Sequence, residues 1–541
     1  MVIYDAIVVG SGAAGSWAAK ELTEGGLAVV LLEAGRALDA QRDFPSCKPR
    51  PAGRAFRLWA RMHDQHIQAR CSFFAPHTRH LYVNDREDVY TTPAGKPFTW
   101  IRGRQLGGRL HTWARHAPRI SSEGFLPSDD AADERRWPIS YEELAPHYDK
   151  VERTLGVYGT RDGIPELPDG EFLDPPPLTP WEEEFCRRVT AGSPAIHITP
   201  ARNVQHNPAR IPVPLAFASR TGRLRIETDS IVRQILIDAE TGKAKGVLVV
   251  DRNTKQEREV FGRLIVLGAS AFESVRILLN SACPRYPAGI GGSSGVLGHF
   301  ISDHLLHWAV ASVSAKGEPL VLPMPESVDP YDWAPTRLYI PDFWKRRAPQ
   351  ERFGRYGVQV SLARTPGTWI CSMSFFGEMM PRYENRLTID RSNADAWGIP
   401  VAHIECTHSE SDMRLLQQMR EAGRELANLA GMEPVDPKRG TWLKRLALSI
   451  FKKESVGVPP GSAIHENGGA RMGNDPKRSV LNKYNQCWDC ENVFVTDGAC
   501  FPYAPFTNPT LTIMALTVRT CDYILREDGR LNLPRFGGHL G

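Results

Sequence analysis

The sequence of 541 residues lacks the marks of several protein classes. It contains no run of 18 or more apolar residues, which argues against a membrane-spanning helix. No basic and apolar leader with a cleavage site precedes the first predicted strand, so we expect a soluble, cytoplasmic protein unless a partner subunit exports it. Lys and Arg (66) nearly balance Asp and Glu (62), and the basic runs are short. This balance argues against a nucleic-acid partner.

Cysteine is also sparse, and the ten cysteines form no dense pattern, as is usual in a reducing compartment. Cys487 and Cys490 have C-x-x-C spacing, but no second pair follows at zinc-site spacing, so we interpret the pair as chance and predict no metal site. The composition, 42% hydrophobic and 24% charged, is that of a globular protein, and the length predicts two or more units.

The chain opens with a βαβ pattern. An apolar strand at 2–9 is followed by Gly10-Ser11-Gly12-Ala13-Ala14-Gly15, a helix to about Thr23 and a strand at 28–32 that ends at Glu33. Such glycines allow a tight turn, close approach of a pyrophosphate and close helix packing, while Glu33 is placed to accept hydrogen bonds from a ribose. The pattern predicts a dinucleotide site but does not choose between NAD and FAD.

Later segments alternate between strands and helices, which predicts an α/β fold. The predicted strands are 226–232, 246–250, 263–268, 369–376, 386–390 and 492–496, and the predicted helices are 269–280, 411–430 and 509–525. We expect a Rossmann-like cofactor domain built from 1–125, 220–304 and 460–541. It would be interleaved with an α+β substrate domain, an antiparallel sheet with helices, from 126–219 and 305–459.

Four stretches resemble the glucose-methanol-choline (GMC) oxidoreductases, and in particular their bacterial sugar- and glycoside-oxidising branch. They are Arg102–Trp113, Leu264–Ser281, Gly291–His304 and the C-terminal stretch Gly461–Tyr523, which contains His465-Glu466-Asn467-Gly468-Gly469-Ala470-Arg471-Met472. The resemblance implies an FAD-dependent oxidation of a CH–OH group. It also implies that His465 is the catalytic base and that Asn508 is its partner at the flavin.

The chemistry suits these residue types. A neutral imidazole can accept the hydroxyl proton while hydride leaves for flavin N5, and Asn508 can donate to the same oxygen. Pro509 fits the first position of a helix capped by Asn508, whose N-terminal end would face the negative charge of reduced flavin. Further cofactor contacts implied by the resemblance are Gly107, Gly108, Val232, Asp497, Gly498 and Thr510, beside Gly10, Ser11, Gly12, Ala14, Gly15 and Glu33.

Two departures from the family matter. Thr112 stands where some relatives attach FAD through a histidine, with His111 one residue away, so we expect noncovalent FAD. The stretch 200–225 has no cysteine for an iron-sulfur centre, so electrons must leave the flavin directly, to oxygen, a quinone or a cytochrome subunit.

The substrate is less defined. Aromatic and hydrogen-bonding residues beside the flavin motifs suit a carbohydrate or an aryl alcohol, and the candidate contacts are Trp113, Arg115, His116, Tyr503 and Phe506. Three alternatives stay open: an aryl or primary alcohol oxidase, an FAD-containing lyase of the hydroxynitrile-lyase type, and a catalytically silent flavin-binding subunit.

Overall fold

The structure is a computed structural model that describes residues 2–45, 53–71, 74–127, 136–314, 331, 334–365, 368–435 and 458–527. Residues 528–541, the end of the predicted cofactor domain, lie outside that part. The helices are α1 (Ala13–Glu24), α2 (Ala40–Asp43), α3 (Arg54–His63), α4 (Tyr141–Leu155), α5 (Pro180–Gly192), α6 (Val213–Arg220), α7 (Ala271–Asn280), α8 (Glu410–Leu429) and α9 (Thr510–Glu527). No helix among the described residues is both long and apolar enough to cross a membrane.

The strands run through both halves of the chain. They are β1 (Ile3–Val9), β2 (Val29–Leu32), β3 (Val157–Tyr158), β4 (Phe172–Leu173), β5 (Thr199–Pro200), β6 (Asn203–Val204), β7 (Leu224–Glu227), β8 (Ser230–Ile237), β9 (Ala244–Asp251), β10 (Glu257–Leu267), β11 (Leu305–Ser314), β12 (Leu338–Ile340), β13 (Tyr356–Thr365), β14 (Thr368–Gly377), β15 (Arg386–Ala394), β16 (Pro400–Glu405), β17 (Glu433–Pro434) and β18 (Val493–Val495). The mixed helices and sheets confirm the predicted α/β fold.

The larger sheet has the order β7-β2-β1-β10-β9-β8, with β18 paired to β10. β1 is parallel to β2 and β10, and β18 is parallel to β10, so the carboxyl ends of these strands share one edge. The residues of β2 and β18, of β1 from Ala6 to Val9 and of β10 from Leu264 to Leu267 are apolar and buried, as expected for strands covered on both faces. α1 packs against α9, and α4 packs on α9, where the hydroxyls of Tyr148 and Thr512 lie 2.8 Å apart.

The second sheet has the order β17-β11-β14-β13-β12-β5. Side chains alternate between its faces. One face is apolar and packs on α8, with Met373 and Phe375 of β14 buried beside Met419 of the helix. The other face is turned toward the cavity described below. The domain division proposed from the sequence stays a prediction.

One predicted strand is wrong. Residues 226–232 form the end of β7 and the start of β8, separated at Asp229, whose φ of +54° breaks the extended backbone. The Asp229 N–H donates to the Gly35 carbonyl at 2.8 Å, which fixes this turn beside the end of β2. An apolar-polar alternation cannot reveal such a break, because β-branched residues continue on both sides of it.

Candidate active site

A cavity of about 780 Å³ lies where the carboxyl ends of β1, β2 and β10 meet the polar face of the second sheet. Twelve of the fourteen predicted cofactor residues line this cavity. The other two, Gly15 and Gly107, do not line it. The twelve are Gly10, Ser11, Gly12, Ala14, Glu33, Gly108, Val232, Asp497, Gly498, Asn508, Pro509 and Thr510. Their roles in binding remain predictions, but folding brings them to one surface.

The glycine loop is built for a close ligand. Gly10 has φ +91°, and a side chain on Gly15 would collide with the Gly10 carbonyl, so these two glycines are needed for the turn and the packing of α1. A Cβ on Gly12 would meet nothing within 4 Å, and a Cβ on Gly108 would approach only Gly12, at 3.7 Å. The space between Gly12 and Gly108, at the uncapped N-terminus of α1, therefore fits a pyrophosphate.

Glu33 ties this loop together. Its carboxylate accepts hydrogen bonds from the Ser11 N–H and hydroxyl, at 3.1 and 2.5 Å, and from the Gly35 N–H at 2.8 Å. Ser11 Oγ in turn accepts from the Gly107 N–H at 2.8 Å. Burial raises the pKa of Glu33, and the hydrogen bonds oppose this rise. Glu33 therefore positions the glycine loop, and it also lines the cavity where a ribose would lie.

Asp497 and Gly498 follow β18 at the same edge. Asp497 accepts hydrogen bonds from the Ser274 hydroxyl of α7 at 2.5 Å and from the Ala499 N–H at 3.0 Å, and burial raises its pKa to about 6. Asp497 therefore caps the turn that follows β18, and it also lines the cavity.

His465 lines the cavity beside a second histidine, His304, which was not among the predicted site residues. His465 Nδ1 is 2.8 Å from His304 Nδ1, and His304 Nε2 is 2.5 Å from the Pro505 carbonyl. A carbonyl only accepts, so His304 Nε2 carries a proton and its Nδ1 is the acceptor in the neutral ring. His465 Nδ1 must then donate, which leaves His465 Nε2 unprotonated and able to accept a hydrogen bond.

Both imidazoles are held neutral. Burial lowers the pKa of His304 to about 4. Burial, followed by the nearby His304 and Arg109, holds the pKa of His465 well below its usual value. A neutral His465 is the form that can accept a proton.

Asn508 contacts the unprotonated nitrogen of His465. Its Nδ2 donates a long hydrogen bond to His465 Nε2 at 3.4 Å, and its Oδ1 accepts a hydrogen bond from Gln359 Nε2 at 2.7 Å. The predicted helix cap is wrong, because α9 begins at Thr510 and its first turn is closed by the Ile513 N–H on the Pro509 carbonyl. The Asn508 side chain is instead hydrogen-bonded to Gln359 and His465.

The backbone that carries His465 is clamped from two sides. Asp303 accepts hydrogen bonds from the N–H groups of Ala463 and His465, at 2.9 and 3.0 Å. Arg109 donates to the Ile464 carbonyl at 3.2 Å and to Glu466 at 2.7 Å. Ile464 has φ +64°, so this strained segment depends on its neighbours to keep its shape.

Of the predicted substrate contacts, Trp113 lines the cavity and the others do not: Arg115, His116, Tyr503 and Phe506. His116 is buried, which lowers its pKa to about 3. The Tyr503 hydroxyl donates to the Gly124 carbonyl, and Phe506 packs in an apolar cluster. Proximity in sequence to the flavin motifs did not give proximity to the cavity, because the side chains of His116, Tyr503 and Phe506 turn into the core.

The structure also shows what stands near the position of covalent attachment in relatives. Thr112 lines the cavity, and its hydroxyl is 3.3 Å from the Arg109 carbonyl. His111 lies beside it, and its Nε2 donates to the Leu106 carbonyl at 2.8 Å. Noncovalent FAD stays a prediction.

The sequence reading missed Asp303, His304 and Gln359. His304 ends the family-like stretch 291–304, so the motif itself was a signal. No sequence signal marked Gln359, because it is a single polar residue in a strand. Elsewhere, Glu166, His197 and Asp342 bring ligand-type atoms within 4.8 Å of one another, but Lys345 contacts Glu166, and His197 Nδ1 is 2.6 Å from Asp342. Protein groups balance these charges, and the absence of a metal stays a prediction.

Comparison with known proteins agrees with this geometry. A family model described as GMC oxidoreductase matches residues 381–517. The chain is 28% identical to 2-methyl-1,2-propanediol dehydrogenase of Mycolicibacterium austroafricanum, over 97% of this chain and 95% of the relative. It is 23% identical to the fructose dehydrogenase large subunit of Gluconobacter japonicus, over 97% and 98%.

Solved structures share the fold. Pyridoxine 4-oxidase from "Mesorbium loti" superposes with a TM-score of 0.62 at 18% identity, covering 96% of this chain and 98% of that one. The sequence matches extend over both sheets, and the matched C-terminal region carries His465 and Asn508. The chain is therefore similar to the GMC oxidoreductases, and these matches support an FAD-dependent oxidoreductase that acts on CH–OH groups.

Proposed function

We propose that the protein oxidises a CH–OH group of a sugar, a glycoside or a related alcohol to a carbonyl, with His465 as the base. The observation that carries this proposal is the unprotonated Nε2 of His465, which accepts a long hydrogen bond from Asn508 Nδ2 at 3.4 Å inside the cavity. A substrate hydroxyl placed between these two atoms would have an acceptor for its proton and a donor for its oxygen.

The glycine loop at 10–15, Glu33 and Asp497 would hold FAD, which when bound would supply the hydride acceptor. His465 Nε2 accepts the hydroxyl proton as the C–H hydride leaves, so the substrate loses two electrons and two hydrogens and gains a C=O bond. Asn508 Nδ2 donates to the oxygen through this change, and Gln359 keeps the amide in that orientation. His304 keeps the proton of His465 on Nδ1, away from the substrate.

Anaerobic flavin reduction tests the proposal. Purified holoprotein is mixed with a panel of sugars, glycosides and benzylic alcohols in a stopped-flow instrument, and flavin absorbance is followed. His465→Ala should slow reduction by about 10²–10⁴-fold, the usual worth of a positioned base, while FAD stays bound. His299→Ala is a matched control, because His299 stacks on Tyr383 and does not line the cavity.

A His465→Ala rate within about threefold of wild type would show that His465 is not the base, because loss of a general base usually slows a reaction far more than that. Bleaching of the flavin by substrate without oxygen also separates an oxidoreductase from a lyase of the same fold, which would turn over without bleaching.

A further inference from the structure

The cavity face of the second sheet carries several polar side chains although it belongs to the interior of the molecule. Side chains of β11, β13 and β14 alternate, and those directed to the cavity include Trp308, Gln359, Ser361, Ser372 and Ser374. The opposite face of the same strands carries Val358, Val360, Cys371, Met373 and Phe375, all buried. A sheet that only needed to pack would be apolar on both faces, so the polar face indicates a ligand.

The strand register orders this face into rows. Phe376, whose ring is 5.3 Å from that of His465, lies opposite Leu306. The next row places Ser374 between Trp308 of β11 and Gln359 of β13. Because Gln359 bonds Asn508, this row adjoins the reaction centre.

A third row continues away from the reaction centre. Ser372 lies between Val310 of β11 and Ser361 of β13. Residues two apart on a strand are separated by about 6.5–7 Å, so Ser372 and Ser374 offer two hydroxyls across a span close to the width of a pyranose ring.

The two serines differ from their polar neighbours in having no protein partner. Ser361 donates to the Pro335 carbonyl, and Gln359 is bonded to both Thr336 and Asn508. Within the described part of the chain, the hydroxyls of Ser372 and Ser374 make no hydrogen bond with another protein group, although both line the cavity. They are therefore free to donate to, and accept from, a bound molecule.

Among the described side chains of this face that line the cavity, none is ionisable. Arg109, the cation on the His465 side, is paired with Glu466. A charged group brought against Ser372 or Ser374 would lose water without gaining a counter-charge, whereas a hydroxyl would exchange its water for equivalent hydrogen bonds. Trp308 adds a flat apolar surface of the kind that packs against a sugar ring.

We propose that Ser372 and Ser374 bind hydroxyl groups of the substrate other than the one oxidised, so that the substrate is an uncharged, polyhydroxylated ring, a neutral sugar or glycoside. This inference rests on the proposed function of the same cavity. It separates a neutral sugar from a simple or aryl alcohol, which offers no second hydroxyl, and from amino sugars and sugar acids.

Binding and reduction are measured separately to test it. Holoprotein is titrated with neutral methyl pyranosides, with cyclohexylmethanol, and with glucosamine and glucuronate, and Kd is read from the perturbation of the flavin spectrum and from the anaerobic reduction rate. We expect at least one neutral pyranoside to bind more tightly than cyclohexylmethanol and than both charged sugars. Ser372→Ala and Ser374→Ala should each raise the pyranoside Kd about two- to tenfold, the worth of one neutral hydrogen bond.

The Kd of cyclohexylmethanol should stay unchanged in both variants, because this alcohol has no second hydroxyl for the serines to bind. Ser312→Ala is the matched control, since Ser312 lies one row further along β11 and does not line the cavity. An unchanged pyranoside Kd in both serine variants, or an equal rise for cyclohexylmethanol, would overturn the inference. Failure of every alcohol to reduce the flavin would instead defeat the proposed function, and the spectral Kd would still report on the serines.

Discussion

His304 and His465 meet through their Nδ1 atoms at 2.8 Å, and the other nitrogen of His304 faces the Pro505 carbonyl at 2.5 Å. This chain of two bonds runs in one direction only, from the His465 N–H to His304 and from the His304 N–H to the carbonyl. It fixes the tautomer of His465 with its unprotonated nitrogen in the cavity. His304 is thus a positioning residue for the proposed base.

Removal of His304 should therefore impair the base without removing it. His304→Leu takes away the acceptor at Nδ1, so His465 can hold its proton on either nitrogen, and we expect anaerobic flavin reduction to slow by about tenfold or more. His304→Asn keeps an acceptor oxygen near the position of Nδ1 and should recover most of the rate. Equal rates for the two variants would show that His304 acts only by filling space.

The pH profile should reflect the lowered pKa of His465. A depressed pKa keeps the imidazole neutral through neutral pH, so the reduction rate should be constant from about pH 6.5 to 8 and fall only at more acidic pH, as the ring becomes protonated. Stopped-flow reduction across pH measures this. The acidic limb should be absent in His465→Ala, and a limb that persists there would belong to another group.

His465 and Asn508 should show coupled losses. Asn508→Ala removes a donor but leaves the proton acceptor, so it should slow reduction by less than His465→Ala. Both residues serve one oxygen in one transition state, and the double variant should resemble His465→Ala alone. Losses that multiply in the double variant would mean that the two residues act at separate steps.

FAD should be released intact from the protein by acid or heat. Thr112 has no ring nitrogen to attach the flavin, and His111 Nε2 is occupied by the Leu106 carbonyl. Absorbance of the supernatant and of the pellet after precipitation measures the release. Yellow colour that stays with the pellet would contradict a noncovalent cofactor.

Glu33→Ala should weaken FAD binding by roughly 1.5–3 kcal/mol, the worth of a hydrogen bond to a charged group. The substitution removes an acceptor from the predicted ribose site and also frees Ser11, which Glu33 holds. Titration of apoprotein with FAD gives the affinity, and Glu33→Gln, which retains one acceptor oxygen, should lose less. An unchanged affinity in Glu33→Ala would exclude the residue from the site.

Local sequence determined the geometry of the predicted cofactor site. The glycines at 10, 12 and 15 impose their turn through short-range sterics, and the βαβ pattern carries Glu33 to the same edge, so a reading of periodicity and spacing was sufficient. His465 and Asn508 were identified through the family motif rather than through their geometry, and the structure places their reactive atoms 3.4 Å apart.

The substrate half was decided only by the tertiary structure. His304 reaches His465 from 161 residues away, and Gln359 reaches Asn508 from 149 residues away. Ser372 and Ser374 face the cavity because of the pairing register of β14 with β11 and β13, while His116, Tyr503 and Phe506 turn into the core. Strand register and side-chain packing depend on contacts between distant segments, and no local pattern records which face of a strand will meet a ligand.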